Sequence, residues 1–406
     1  MPRIRFAPLV TLVSFLVVPS LTVLSPALAD VETDLSGNIR IRYEGDDRRF
    51  MTTDTDVRHI VLQRTRVQFV ARKEGAEFVI QLQDARRWGE EQFTIANTQN
   101  VDLHRGYLKL KGDAGELILG RQELIYGVER VVGALAWLNN ARSFDAVRAR
   151  AKRNAHWLDL FAAAIAVERL INPEEFPDRD EEFLGAVGHL EARRVKLEFE
   201  PMVLYRSRTP TAHYLTSIGN YARFRHDWLV VDQDFVYQTG RREGADVEAW
   251  LGAIDARVNI PVGGGSLSPA AGVSFYTGND PSEAKWTAYD FLYPTNHKFY
   301  GYMDLSFLIA GRRGLLDEHL KVFVKRGSLS GVVAFHHFDT DVEVTLSDGG
   351  KSKSIGNELD AVLRQPLSSH FTIEVGGGVF EPGDVTKDER GDRTVVWGYL
   401  QGTGKF

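Results

Sequence analysis

Beyond residue 29, five pairs of arginines separated by a single residue mark this sequence: Arg40 and Arg42, Arg64 and Arg66, Arg148 and Arg150, Arg206 and Arg208, and Arg223 and Arg225. A guanidinium offers a planar fork of donors that matches carboxylate and phosphate oxygens, so such pairs are suited to gripping or guiding anions. In an extended strand, residues two apart share a face, and each pair aims both forks the same way. Arginine outnumbers lysine 36 to 13, which hints at anionic ligands, although a GC-rich coding sequence accounts equally well for the excess. The same alternation adds Arg105 and Lys109 to the basic face. Glu44, Glu77, Asp232, Asp234 and Asp255 fall at matching positions, where carboxylates would hold extended arginines and offset part of their charge. Each residue could alternatively serve as a ladder that only stabilises a wall.

Catalytic patterns are weak by comparison. His336 and His337 cannot share a strand face, and no His-Glu-x-x-His, Gly-x-Ser-x-Gly or phosphate-cradling glycine loop occurs. Asp84, Asp102, His104 and His189 could gather in space, but their spacing does not require it. With no cysteine in the chain, a thiolate nucleophile, a thiolate metal site and a disulfide framework are all excluded. The reading is of a non-enzyme without cofactor or metal.

The elements that would carry these arginines read as strands. From Leu35 to Glu44, Leu35, Gly37, Ile39, Ile41 and Tyr43 take one face and Ser36, Asn38, Arg40, Arg42 and Glu44 the other. Val61, Thr65, Val67 and Phe69 likewise oppose Arg64, Arg66 and Gln68. About twenty such segments follow one another, broken by Gly, Asp, Asn and Pro clusters. They include Val101–Lys111, Tyr302–Ala310 and His319–Lys325, and fusions among them leave 16 to 18 strands. Charge-rich stretches at 45–56, 172–182, 348–354 and 381–393 read as exposed loops, and short turns such as Lys73-Glu74-Gly75 as the opposite rim. Tyr43, Trp137, Trp157, Trp228, Trp250, Trp286 and Trp397 lie near strand ends, as an interfacial aromatic girdle requires.

Residues 1–29 read as a signal peptide. Arg3 and Arg5 precede an apolar run that ends at Ala27-Leu28-Ala29, so export is expected, leaving one domain over 30–406. The longest uncharged run after it contains Pro261, Gly263-Gly264-Gly265 and Pro269, and cannot form a spanning helix. The formal charge is −6, more negative still without Arg3 and Arg5, which disfavours nucleic acid as a partner. An exported chain of alternating strands is a transmembrane antiparallel β-barrel if its apolar face meets lipid. The arginines must then face the lumen, since a basic side chain at mid-membrane costs about 2–4 kcal/mol.

Several stretches resemble the bacterial alginate export family of outer-membrane proteins. They are Gly120-Arg121-Gln122-Glu123 with Tyr126-Gly127 and Arg130, Arg142-Ser143-Phe144-Asp145-Ala146-Val147-Arg148, and Tyr237-Gln238-Thr239-Gly240. Phe291 to Asp304, His336-His337-Phe338 and Gly356-Asn357-Glu358-Leu359-Asp360 continue the likeness, in family order. The terminal Phe406 is similar to the C-terminal aromatic of outer-membrane barrels. The resemblance implies an 18-stranded barrel in a Gram-negative outer membrane, with an electropositive, arginine-lined constriction. It further implies outward passage of an acidic polyuronate delivered by a periplasmic assembly, and it adds Arg121 and Arg148 to the pore-lining set. A porin for small anions or organic acids is the alternative that the residues leave open.

Overall fold

The computed structural model describes residues 31–48, 57–90, 101–166, 180–209 and 213–406. The expected signal peptide and parts of two expected loops lie outside them. Strands β1 (Glu32–Asp46), β2 (Arg58–Lys73), β3 (Ala76–Arg87), β4 (Val101–Gly112), β5 (Gly115–Gln122) and β6 (Phe144–Arg153) run antiparallel in sequence order. The order continues through β7 (His156–Ala166), β8 (Asp180–Ala192), β9 (Leu197–Thr209), β10 (His213–Arg225), β11 (Leu229–Arg242) and β12 (Ala245–Val258). The short β13 (Ile260–Val262) extends β12 past Asn259, and both pair with β14 (Gly265–Tyr276). Then come β15 (Leu315–Arg326), β16 (Leu329–Thr345), β17 (Lys351–Pro366), β18 (Phe371–Pro382) and β19 (Val395–Lys405). With β12 and β13 as one stave, the wall has 18 staves.

The sheet closes on itself. β19 pairs with β1 from Asn38 opposite Lys405 to Asp46 opposite Trp397, and Gly37 and Phe406 exchange backbone hydrogen bonds at 3.1 and 3.2 Å. Closure removes the unpaired edges that an open sheet of this size would expose. Two-residue turns such as Glu74-Gly75, Asp113-Ala114 and Gly263-Gly264 gather at one rim, together with both ends of the described barrel. The long connections gather at the other. Leu35, Phe69, Phe78, Leu320, Phe335 and Leu400 are exposed on the outer face, and the arginines of β1 and β2 alternate with them on the inner face.

Two long-rim connections, residues 123–143 and 277–314, fold inward and supply much of the buried apolar surface. Tyr126, Val131, Val132, Tyr293, Tyr300, Met303 and Ile309 pack there with inward residues of the wall. The expected strand Tyr302–Ala310 belongs to the second connection and ends in a short helix, Ser306–Ala310. Met303, Leu305, Ile309 and Ala310 are all buried, a pattern set by plugging a lumen rather than by strand alternation. Strand β17 begins at Lys351, inside the stretch read as a loop, and residues 384–390 form a helix with Val385 and Thr386 buried. The aromatic girdle needs correction too. Tyr43, Trp228 and Trp250 are exposed, but Trp397 is buried, and Trp137, Trp157 and Trp286 pack against the inner core, where their rings have partners to stack on.

Candidate functional site

The lumen is narrowed where the two inward connections meet. Val132 and Tyr293 form a parallel bridge, and Gly133 N donates to Tyr293 O at 2.8 Å. Arg142 Nη1 donates to the carbonyls of Gly133 and Pro294, each at 3.1 Å, and to that of Tyr293. The pair therefore behaves as one body braced against the wall, and the bracing differs from side to side.

On β1, β2 and β4 the wall is basic. Arg40 and Arg64 are direct cross-strand partners, flanked by Arg42, Arg66 and, on β4, Arg105. Arg40 and Arg64 each donate to Ala136 O at 3.0 Å, and Arg42 to Trp137 O at 3.0 Å while its guanidinium lies 3.9 Å from the Trp137 ring. Arg66 donates to Gln83 at 2.8 Å, and Gln83 in turn to Asn140 O. Arg40, Arg42, Arg64 and Arg66 are buried because the 136–140 segment lies over them. Among described residues only Glu44, 2.7 Å from Arg42, and Glu123, paired with Arg105, supply these five arginines with carboxylates.

A β-bulge explains why Arg105 has company. Gln81 pairs with Arg105 but Leu82 pairs with Leu103, leaving His104 as the extra residue. Such a bulge re-aims side chains, so His104 and Arg105 both reach Glu123, His104 at 2.9 Å. Ser143 Oγ lies 3.0 Å from His104 Nδ1, giving a serine, histidine and glutamate in series, but it donates to His104 O at 2.6 Å. With Arg105 on the same carboxylate, the group is a brace at the start of the 123–143 connection.

The far wall is acidic, and the connections present donors to it. Arg130 donates to Asp234 on β11, Asp255 on β12 and Ser274 on β14, at 3.0, 3.0 and 3.1 Å. Burial opposes its charge, yet Tyr300, Asp234 and Asp255 together hold its pKa above the ordinary guanidinium range. On β17, Glu358 accepts from Met303 N at 2.8 Å and Asp360 from Tyr302 N at 3.1 Å. Carbonyls thus meet the basic wall, and N–H groups meet the acidic one.

The remaining expected site residues divide. Arg148 is inward on β6 and lies 4.0 Å from Asp159, which Arg150 holds at 2.5 Å. Lys109 and Glu77, 3.3 Å apart, form a separate cluster with Arg72 and Lys111 close to the short-turn rim. Asp232 binds Arg223 at 2.6 Å, also toward that rim. There, Arg193, Lys196, Arg223, Arg225 and Arg257 share a cavity of about 670 Å³ with Glu191, Glu198 and Asp227, which pair with Arg193, Arg225 and Lys196 at 3.2, 3.9 and 3.1 Å. Arg121 does not join the lumen. It shares the outward parity of Leu117 and Leu119 and pairs with Asp145 at 3.0 Å and Asp102 at 3.7 Å, because β5 turns inward only after Gln122. Alternation also had no means of finding Arg130, Arg142 and Trp137, which lie on non-periodic segments.

A closed even-staved antiparallel barrel, with an apolar outer face, short turns at one rim and inward-folded connections from the other, is an outer-membrane channel. Solved structures agree on the fold. OpdO of Pseudomonas aeruginosa superposes with a TM-score of 0.63 at 12% identity, covering 92% of this chain and 97% of that one. OpdK of the same organism, solved with vanillate, gives 0.59 at 11%, and OccAB4 of Acinetobacter baumannii gives 0.59 at 11%, each covering 92% of this chain and 98% of the other. A comparison with curated proteins finds no matching sequence. The profile of the alginate export family matches residues 31–306, and the chain belongs to that family. It is a non-enzymatic transport channel of the outer membrane; barrels of this class keep their short turns on the periplasmic side.

Proposed function

We propose that the channel passes carboxylate-bearing anions, an alginate-like polyuronate foremost, along the arginines of its inner face. The observation that carries this reading is the cluster of Arg40, Arg42, Arg64, Arg66 and Arg105 on neighbouring staves, with few carboxylates to neutralise it. At rest, the carbonyls of residues 136–138 occupy several of these donors. A carboxylate adds a full opposite charge and can take two parallel hydrogen bonds from one guanidinium fork, which a single carbonyl cannot, so a passing uronate can replace those carbonyls and move on. Arg105 is the least occluded member of the cluster and Arg148 stands beside it, and the mixed-charge cavity at the periplasmic rim, with Arg223 and Arg257 among its cations, would receive the anion from a periplasmic assembly.

Planar-bilayer recording tests the reading. Anion selectivity with block by oligouronates from the periplasmic side is expected, and Arg40→Gln with Arg64→Gln should weaken both several-fold. Cation selectivity without such block would overturn it. The narrowing of the lumen by two connections favours a second reading, inward diffusion of small organic acids; permeation of an aromatic carboxylate in liposome swelling, with no effect of oligouronates, would select it.

A further inference from the structure

Away from the arginine cluster, three buried ligand-type side chains converge on the acidic wall. β15 carries Asp317 and His319 two residues apart on its inner face, and β16 sets His336 directly opposite His319. His336 Nδ1 lies 2.7 Å from Asp317 Oδ1, and His319 Nδ1 lies 3.1 Å from Asp317 Oδ2. One ligand atom from each residue falls within 4.8 Å of the others. Phe338 stacks on the His336 ring at 5.4 Å and shields the group from water.

The second nitrogen of His319 points elsewhere. Nε2 lies 2.6 Å from Asp255 Oδ1 on β12, reached across β14 at Gly272, the register partner of both residues. A Cβ at Gly272 would fall on the His319 ring nitrogen and on the Asp255 oxygen, so this contact exists because that position has no side chain. A neutral imidazole carries one N–H and one lone pair. With Nε2–H given to Asp255, the Nδ1 lone pair of His319 faces a carboxylate that cannot donate to it.

That arrangement calls for a cation. Around it on the inner wall stand Asp232, Asp234, Asp255, Asp317, Glu358 and Asp360, against the fixed cations Arg130, Arg223, Arg257 and Lys321, an excess of two negative charges among these described residues. A second proton on His319 offsets one unit of the excess; a divalent ion offsets two and uses the lone pairs of both histidines. We propose that Asp317, His319 and His336 bind a divalent transition metal of the zinc type. Two imidazoles and one carboxylate form a donor set that zinc accepts. Asp255 then takes the outer position of a carboxylate–histidine–metal triad and fixes the tautomer. Since Asp255 also holds Arg130, the metal would tie three wall strands to the inward 123–143 connection.

Full-length barrel in detergent, stripped with a chelator and titrated with Co²⁺, provides the test. Visible d–d absorption saturating at one equivalent per chain and displaced by Zn²⁺ is expected. His336→Gln should abolish it, and Asp255→Asn should weaken Zn²⁺ binding by about 10–100-fold, with heat-modifiable gel mobility reporting that each variant is folded. A wild-type chain that takes up no tight equivalent of either metal overturns the proposal, whatever the variants do. So does metal uptake that persists in folded His319→Gln or His336→Gln.

Discussion

Arg130 is buried and is met by two carboxylates and a hydroxyl from three different strands. Removing one partner of a buried ion pair leaves the other charges desolvated, at a cost of about 3–5 kcal/mol. Arg130→Met should therefore lower the thermal midpoint of the barrel and raise single-channel conductance, because the 123–143 connection loses its hold on the far wall. Unchanged conductance in a folded variant would show that the contact does not set the aperture. The arginines of β1 and β2 were legible from sequence, since alternation against Leu35, Ile39, Val67 and Phe69 fixes their side of the sheet. Arg121 was legible too, since its parity with Leu117 and Leu119 puts it on the outer face; only the family resemblance had placed it in the pore.

The inward connections depend on aromatic contacts at the level of elements. Trp137 stacks on His297 at 4.0 Å and meets Tyr399 edge-on at 5.0 Å, while Arg42 covers its other side. It joins the first connection to the second and both to β1 and β19. Trp137→Ala should free the joint without unfolding the wall: noisier current and faster proteolysis near residues 123–143, with normal heat-modifiable mobility. A quiet current in that variant would place the restraint elsewhere, at Arg130 or Arg142. Strand existence was readable from period-two alternation, but the strand expected at Tyr302–Ala310 was not there. Its cue was visible in retrospect. A stretch as apolar as 288–310 has no place in an exposed connection, so it had to be buried inside the ring. The bulge at His104 likewise moved two residues to one face, a local shift that alternation alone does not detect.

For the whole molecule, the outer belt is what membrane insertion acts on. Leu320 is 62% exposed on that face. An arginine near the midplane costs about 2–4 kcal/mol, so Leu320→Arg should lower folding yield into vesicles, whereas Asp113→Arg in a rim turn should leave it unchanged. Equal yields would mean that Leu320 does not face lipid.

The meeting of Gly37 with Phe406 sets the timetable of assembly. Stave neighbours elsewhere are neighbours in sequence, so each hairpin can form as soon as its two strands are at hand. The seam between β1 and β19 joins the most distant strands of the described barrel, and a chain that stops short of it has two raw edges and an open lumen. Every hairpin can therefore be made early, but the pore begins to exist only when the last strand finds the first.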